Sequence, residues 1–366
     1  MRSKIISVGQ LFSILVINRL VISMTFGSFS VNGKDIWDCL LSSVLILLLT
    51  FVLIIPVYKL CAKNSPLDIC DISKFILGKF GNIITIFYGI YFALVCAHTL
   101  AIFKVFTENV MNPPISFVVL STSMIIFSCY AASKGIEAIA RSSAIILGFI
   151  SIALVFLGFS LFKTIDFTNF KPFFYHEDSS LVDGTIFMLS RMSCIPIIGM
   201  LMSMVVGRVK NGIILWNIIV CFLMAVSIFF ITGILGDLTT TRLFPFYTAA
   251  SVAKISKFEN LDAIYLGLWT AGVFIKLSIL LNLSSECIRK VLGKKNTKLI
   301  IIIFGTVLII TNLSVKIFNI SSGVFNTKFL FIITILASFV IPLFLLVCKK
   351  ISNKKIEEGK ISQRSI

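Results

Sequence analysis

The stretch WDCLLSSVLILLLTFVLIIPVY, residues 37–58, is an apolar run whose one charged residue lies near its start. About 20 predominantly apolar residues are what an α-helix needs to cross the hydrocarbon core of a bilayer. Ten runs of this kind occur in the chain. They predict membrane-spanning helices, here called spans 1 to 10, at residues 8–29, 37–58, 83–107, 115–132, 137–162, 184–206, 211–235, 262–286, 299–317 and 328–348.

Composition agrees with this class of protein. The chain is 58% hydrophobic and 13% charged, whereas roughly 25% charged residues are usual in a soluble domain, and its mean hydropathy is +1.04. Most of the ten runs are apolar all round, which excludes a soluble bundle of amphipathic helices. Membrane β-barrel strands alternate over only about ten residues. The prediction is an all-α integral membrane protein whose first run, interrupted by Asn18 and Arg19, is no cleaved signal peptide.

The distribution of basic residues predicts the orientation. Of the 33 Lys and Arg residues, 21 lie on the side that holds both termini. Because basic residues are enriched in cytoplasmic loops, both termini are predicted to be cytoplasmic. Residues 1–348 are expected to form one domain, followed by a basic cytoplasmic tail at 349–366. Anionic lipid headgroups are the expected partner of this charge, rather than nucleic acid.

Catalytic and metal chemistry are not expected. The nine cysteines are scattered, mostly within apolar runs, and the chain has two histidines. It contains no Gly-rich phosphate loop, no nucleophile elbow and no metal-binding His-Glu-x-x-His helix. The cysteines are therefore interpreted as small buried apolar residues, and neither an enzyme nor a cofactor or metal site is predicted.

Two weaker patterns concern the ends of the spans. Residues Leu67 to Phe80 form a short amphipathic stretch, predicted to lie in the inner membrane interface. Glu137 and Arg141, four residues apart at the start of span 5, are expected to form an ion pair, and so are Lys104 and Glu108.

Four basic residues lie deep within the apolar runs, and no carboxylate is found at comparable depth. A charge at the bilayer centre costs from about 2.5 to more than 10 kcal/mol, so such residues usually face a cavity, a partner or a substrate. The excess of positive charge predicts a cavity that favours anions. It disfavours cationic substrates and coupling ions held by a buried acid. The four residues are Arg19, His98, Arg191 and Lys276.

Several segments together resemble the B-subunit family of bacterial spore germinant receptors, the GerAB-like permeases, over nearly the whole chain. No one motif is specific, but the order and spacing of the segments match. The segments are Leu77-Gly78-Lys79-Phe80-Gly81 with Tyr88 and Tyr91, Gly135-Ile136-Glu137-Ala138-Ile139-Ala140-Arg141, Phe244-Pro245-Phe246, Phe258-Glu259-Asn260-Leu261-Asp262-Ala263, Trp269 and Phe274-Ile275-Lys276.

The resemblance implies the fold of the amino acid, polyamine and organocation transporters. That fold consists of two inverted five-helix repeats, with helices 1 and 6 interrupted and helices 1, 3, 6 and 8 around the central site. The four deep basic residues fall one on each of these helices. In span 6, Pro196 and Gly199 indicate either a break just after Arg191 or a simple proline kink.

Span 1 departs from the family pattern, because its nearest glycine to the Asn18-Arg19 pair is Gly27. Related permeases carry a Gly-rich unwound segment there, which holds a substrate carboxylate with main-chain amides. Arg19 offers a bidentate match to a carboxylate instead, although pairing with main-chain carbonyls is the competing interpretation. Asn18 belongs to the same candidate site.

The remaining candidate residues each have two interpretations. Lys276 either titrates or takes the place of a coupling cation, or it pairs with a main-chain carbonyl or the Asn282 region. His98, on one face with Tyr91, is a packing residue or a proton relay. Trp269 shares a helix face with Lys276 and with Tyr265, which is interpreted as an interfacial anchor.

The resemblance implies a membrane subunit of a spore nutrient germinant receptor. Such a subunit binds a small nutrient, an amino acid or other carboxylate, and triggers germination, with A-type and C-type receptor subunits as partners. The expected location is the spore inner membrane or the bacterial cell membrane. An independent secondary amino acid permease is the alternative hypothesis, and a membrane scaffold whose site has decayed is a third.

Overall fold

The computed structural model describes residues 5–25, 36–64, 66–111, 117–171, 178–240, 242–252, 261–293, 297–313 and 326–351. Thirteen α-helices and two short strands with defined bounds lie within these ranges. They are β1 (Ile6–Ser7), α1 (Val8–Thr25), α2 (Ile36–Lys63), α3 (Ile69–Leu77), α4 (Gly81–Phe106), α5 (Phe117–Lys134), α6 (Ile136–Phe162), α7 (Asp178–Ser190), α8 (Cys194–Leu201), β2 (Val205–Val206), α9 (Val209–Leu235), α10 (Pro245–Val252), α11 (Leu261–Leu292), α12 (Thr297–Leu313) and α13 (Thr327–Ile335). Residues 341–351 are a further helical segment after α13.

Eight segments of the described chain are long and apolar enough to cross a membrane. The other two predicted spans, 4 and 9, are the helices α5 and α12, of 18 and 17 residues. All ten predicted spans are therefore helical. The eight segments are Val8–Thr25, Cys39–Lys63, Ile69–Val110, Ile136–Phe162, Leu181–Met204, Val209–Leu235, Ala263–Leu292 and Thr327–Ile351.

Large apolar side chains cover the outer faces of these helices. Phe159 on α6, Phe222 on α9 and Leu48 on α2 each expose more than half of their side chain. A soluble monomer rarely exposes so much contiguous apolar surface, whereas a bilayer covers it. The chain is an integral, multi-pass membrane protein.

The amphipathic stretch that was predicted between spans 2 and 3 is the short helix α3. Its N-cap is Asp68, whose carboxylate accepts hydrogen bonds from the main-chain N–H groups of Cys70 and Asp71. Phe75 and, just beyond the helix, Phe80 are largely exposed, while Ile69 and Ile72 are buried. The helix thus has one apolar face turned outward and one packed on the protein.

Span 6 is broken at the predicted place. Helix α7 ends at Ser190, α8 begins at Cys194, and residues 191–193 between them are not helical. Pro196 lies in the first turn of α8, where its missing N–H and fixed φ are tolerated. The proline therefore belongs to a new helix start and not to a kink within a continuous helix.

Span 1 differs from the expected pattern, because Val8–Thr25 is one continuous helix through Asn18 and Arg19. The expected interruption of helix 1 is not found there. Gly9 is its only glycine and it contains no proline, so no residue in its interior weakens the main-chain hydrogen bonding. Residues 26–29 of the predicted span lie outside the described residues.

Strands β1 and β2 tie the two central spans together at one end. Ile6 and Ser7, just before α1, pair in parallel with Val205 and Val206, the last two residues of span 6. This end is called the N-terminal end of the bundle below. That it faces the cytoplasm stays a prediction, as do the boundary at residue 348 and the basic tail, most of which lies outside the described residues.

Candidate ligand-binding site

The middle of α1 faces the break in span 6. The side-chain oxygen Oδ1 of Asn18 accepts a hydrogen bond from Oγ of Ser193 at 2.8 Å and a weaker one from Sγ of Cys194 at 3.8 Å. Asn18 Nδ2 is buried and has no hydrogen-bond partner in the described part of the chain. The asparagine thus joins α1 to the break and keeps a buried donor unused.

The carbonyl groups freed at the end of α7 are hydrogen bonded within the protein. A helix end leaves such carbonyls without intrahelical partners, and in a membrane they must be satisfied locally. The oxygen of Phe187 accepts from Arg191 Nη1 (3.2 Å) and Ser190 Oγ (2.6 Å), that of Met188 from Arg19 Nη1 (3.1 Å), that of Leu189 from Met192 N (3.0 Å) and that of Ser190 from Thr334 Oγ1 (3.2 Å).

Two guanidinium groups lie at this carbonyl end of α7. Arg19 is buried and donates from Nη1 to the Met188 oxygen and from Nη2 to the Met188 sulfur at 2.8 Å. Its Nε has no hydrogen-bond partner among the residues that the structure describes. Arg191 lies over the Phe187 ring, with Cζ 3.7 Å from the ring centre. Cations are favoured here because the C-terminal end of a helix carries negative partial charge.

Lys276 reaches the same region from α11. Its ammonium Nζ donates to the main-chain oxygen of Asn18 at 3.4 Å, and the side chain is 1% exposed. His98 of α4 is also buried, in the neighbourhood of Arg191 and Lys276. Arg19, Arg191 and Lys276 thus come together beside the break, and that the four basic residues bind a ligand stays a prediction. Within the described residues, neither Arg19 nor Lys276 forms an ion pair with a carboxylate.

The pocket that Arg19 and Arg191 share is small. A cavity of about 10 Å³ lies among Arg19, Arg191, Phe187 and Met188. That volume is close to the minimum that one water molecule requires. A ligand of amino acid size therefore does not fit the pocket between Arg19 and Arg191 unless the surrounding helices separate.

Farther than the basic cluster from the N-terminal end of the bundle, aromatic side chains of α11 hold it against α1. Trp269 donates from its indole Nε1 to Oγ1 of Thr25 at 2.9 Å and packs against Phe106, with ring centres 3.9 Å apart. Tyr265 donates to the Met24 oxygen at 2.8 Å and is buried. The interpretation of Tyr265 as a lipid-interface anchor was therefore wrong, because its hydroxyl is used inside the protein.

Other predicted site residues lie at different distances from the cluster. Tyr91 is buried on α4 with its hydroxyl beside that of Thr334 on α13, which bonds the carbonyl of Ser190 at the break. Gly199 packs near Val57 and Ile69, toward α2 and α3. The fold therefore places Tyr91 near the break but does not bring Gly199 to the basic residues. Pro196 is buried in the first turn of α8, between the break and Gly199.

Sequence reasoning missed Ser193 and Thr334, whose hydroxyls complete the hydrogen bonding of the break. Nothing distinguished them from the many other hydroxyl residues of apolar runs, most of which bond a carbonyl of their own helix, as Thr50 does. The expected local ion pairs are present: Arg141 with Glu137, and Lys104 with Glu108.

Comparison with known proteins places this arrangement in a family. A family model described as spore germination protein matches residues 5–320. Spore germination protein KB of Bacillus subtilis (strain 168) is 26% identical over 289 residues, which cover 75% of this chain and 76% of the relative. Spore germination protein XB of Bacillus anthracis is 22% identical over 291 residues, covering 78% and 80%.

The fold also has a solved counterpart. A substrate-bound, outward-open Na⁺-coupled sialic acid symporter superposes with a TM-score of 0.61, over 91% of this chain and 79% of the symporter. At 14% sequence identity this likeness concerns the fold alone, and it agrees with the inverted five-plus-five repeat expected from the family. The symporter is a transporter and not an enzyme. The chain belongs to the spore germination protein family of membrane permeases, and its helices adopt a secondary-transporter fold.

Proposed function

We propose that this protein is the membrane subunit of a nutrient germinant receptor and that it binds a small carboxylate-bearing nutrient between α1, α4, the break of span 6 and α11. The observation that carries this proposal is the convergence of Arg19, His98, Arg191 and Lys276 at the break. Arg19 and Lys276 are fully buried there without a carboxylate partner among the described residues.

The hydrogen bonds of the break support an anionic ligand. Transporters of this architecture use free carbonyls at broken helices to hold cations. Here the carbonyl oxygens of residues 187–190 are already taken by Arg191, Arg19, Met192 and Thr334. The groups that remain for a ligand beside the break include two donors, Arg19 Nε and Asn18 Nδ2.

A carboxylate suits those donors. A guanidinium has five N–H donors in a rigid fork, of which the Nη1 and Nη2 groups of Arg19 each use one. One of its Nη2 bonds goes to the sulfur of Met188, a weak acceptor that a carboxylate oxygen would replace favourably. Lys276 adds a second positive charge from α11.

Triggering is proposed to follow from the closed state of the site. Because the cavity holds at most about one water, nutrient binding selects a conformation in which α1, span 6 and α11 have moved apart. The two halves α7 and α8 can move separately, since span 6 is broken at residues 191–193. That movement is the signal proposed to pass to A-type and C-type receptor subunits in the spore inner membrane.

Binding of amino acids to the purified chain in lipid nanodiscs tests the proposal. Each standard amino acid is compared with its carboxamide, which keeps the side chain and the amine but lacks the carboxylate charge. We expect at least one amino acid to bind and its amide to bind more than tenfold more weakly.

The matched variants are Arg19→Gln at the site and Arg208→Gln at an exposed position. Loss of a charge-assisted hydrogen bond worth about 1.5–3 kcal/mol predicts roughly 10- to 100-fold weaker binding for Arg19→Gln. Arg208→Gln is expected to bind like the unaltered protein. Equal affinity of all three proteins for every ligand would refute a carboxylate site at Arg19.

The independent permease is the alternative, and uptake measurements separate it from a receptor. The chain is reconstituted alone in proteoliposomes with the amino acid that binds. Binding without net accumulation, together with loss of nutrient-triggered germination in spores that carry Arg19→Gln, supports the receptor. Accumulation against a gradient by the isolated chain supports the permease.

A further inference from the structure

A buried carboxylate lies outside the candidate site, at the N-terminal end of the bundle. Asp68, the N-cap of α3, is fully buried and accepts hydrogen bonds from the N–H groups of Cys70 and Asp71, at 3.1 and 3.0 Å. It also accepts from Lys290 Nζ on the last turn of α11. The sequence analysis predicted only that this amphipathic stretch lies in the membrane interface, so this pairing was not expected.

Lys290 is held from three directions. Its ammonium Nζ lies 2.6 Å from the Asp71 carboxylate in addition to its bond with Asp68. Its main-chain oxygen accepts a hydrogen bond from Lys74 Nζ at 2.6 Å. Asp68, Asp71, Lys74 and Lys290, here called the α3 latch, therefore balance two negative charges with two positive ones and join α3 to α11.

A sulfur contact lies one helical turn closer to the basic cluster. Sγ of Cys70 is 3.9 Å from Sγ of Cys287 and 3.4 Å from Sδ of Met200. Met200 is in the last turn of α8, the second half of the broken span. Cys70, Cys287 and Met200 are all buried. The latch and these three residues thus hold α3, α8 and α11 together.

The position of this junction suggests its role. Cys287 follows Lys276 by eleven residues on α11, which is about 16 Å along a helix, and Lys290 lies about 5 Å farther. On α8, Met200 likewise lies seven residues after Ser193, whose hydroxyl bonds Asn18 beside the basic cluster. The junction therefore lies between the basic cluster and the N-terminal end of the bundle.

We propose that the α3 latch is the gate at that end: while its ion pairs are formed, α3 closes the path from the basic cluster, and the path opens when α3 and α11 part. This inference rests on the proposed function, which requires a site that opens. Ion pairs suit a gate because a buried charge that loses its partner is strongly destabilising. The charged groups of the closed junction are therefore held together as one unit.

Thiol reactivity reports on the gate without any nutrient. Buried cysteines are inert, so Cys70 and Cys287 react with a maleimide only when the junction is open. The full chain in nanodiscs is treated with N-ethylmaleimide, and the rate at each cysteine is measured by mass spectrometry. Cys96, which is 1% exposed on α4, is the internal reference for global unfolding.

The main variant is Lys290→Met, which leaves the N-cap bonds of Asp68 in place. We expect its Cys70 and Cys287 to react at least tenfold faster than in the unaltered protein, with Cys96 unchanged. Lys290→Arg keeps the charge and is expected to stay within twofold. Glu286→Gln, which removes an ion pair with Arg289 on the same helix, is the matched control and is also expected to stay within twofold.

A membrane-impermeant, sulfonated maleimide distinguishes an aqueous path from access through lipid. It is expected to react with Cys287 of Lys290→Met as fast as N-ethylmaleimide does, and reaction with the lipid-soluble reagent alone would overturn the gate. Unchanged rates in Lys290→Met would overturn it too.

Should Lys290→Met unfold and expose Cys96, the milder Asp71→Asn decides. It weakens only the second ion pair and is expected to raise the Cys287 rate about threefold; an unchanged rate would contradict the latch. Because no nutrient is involved, failure here leaves the carboxylate site untouched, and failure of nutrient binding leaves these rates as expected.

Discussion

Lys276 on α11 donates a hydrogen bond from Nζ to the main-chain oxygen of Asn18 on α1, 3.4 Å away. The bond joins two helices that line the candidate site, and its donor is a charge that belongs to the protein itself. A main-chain oxygen of this helix is the kind of group that would otherwise coordinate a coupling cation. Of the pairings that the sequence left open for Lys276, the structure contains the one with a main-chain carbonyl, and its role as a titrating group or in place of a coupling cation stays a prediction.

The first prediction is that nutrient binding does not require Na⁺. Since the Lys276 ammonium already occupies the Asn18 oxygen, replacing sodium chloride by choline chloride at constant ionic strength is expected to change nutrient affinity less than twofold. Equilibrium binding to the chain in nanodiscs measures this. A tenfold loss of affinity in choline would mean that a sodium ion binds somewhere in the site after all.

The second prediction separates the stability of the fold from the function of Lys276. A buried charge without a carboxylate partner is costly, and an apolar side chain of similar length removes that cost. Lys276→Met is expected to unfold at the same temperature as the unaltered protein or at a higher one, while its nutrient binding weakens at least tenfold.

Thermal unfolding in detergent and binding in nanodiscs measure the two effects of Lys276→Met. Lys276→Arg, which keeps the charge, is the comparison and is expected to retain more binding than Lys276→Met. A variant that loses stability and keeps its affinity would show that Lys276 is a structural link between α1 and α11 and no part of the ligand site.

The third prediction concerns the break. Thr334 Oγ1 bonds the carbonyl of Ser190, which has no helical partner at the end of α7. Thr334→Val keeps the shape and removes the donor, so the protein is expected to lose about 1–3 kcal/mol of stability, the cost of a buried unsatisfied acceptor. Thr306→Val is the control, because its hydroxyl bonds within its own helix at an exposed position. Equal denaturation midpoints for the two variants would contradict this role of Thr334.

The parts of this structure that the sequence predicts are those that depend on local pattern. The lengths of the apolar runs predict the ten helices. Pro196 predicts the break in span 6, because a proline near a helix start restricts the main chain of its neighbours in sequence. Asn18 and Arg19 show the limit of the family resemblance. It implied an interruption of helix 1, yet α1 continues through both residues, since a side chain bonded across to Ser193 leaves its own main chain helical.

Contacts between segments that are distant in the sequence could not be predicted from local pattern. Asp68 and Lys290 are 222 residues apart, and only the fold shows that an aspartate in a short polar stretch is fully buried against α11. The positions of the four basic residues were foreseen through the family fold, not through any local signal.

The fourth prediction tests how closely α1 must approach α11 beside the site. A Cβ added at Gly272 would lie 2.9 Å from Cγ2 of Val21, whereas one added at Gly267, on the same helix, would meet no atom within 4 Å. Small residues let membrane helices pack closely, and an added methyl group here forces the two helices apart. Gly272→Ala is therefore expected to lower stability by about 1–3 kcal/mol, as overpacking does.

Gly267→Ala is the matched control for that substitution. It adds the same methyl group to the same helix and is expected to be neutral or slightly stabilising, because alanine favours the helix over glycine by about 1 kcal/mol. The same separation of α1 and α11 lengthens the bond between Lys276 and Asn18, so nutrient affinity is expected to fall in Gly272→Ala alone. Parallel shifts in both variants would mean that the contact at Val21 is loose enough to yield, and that the site does not depend on it.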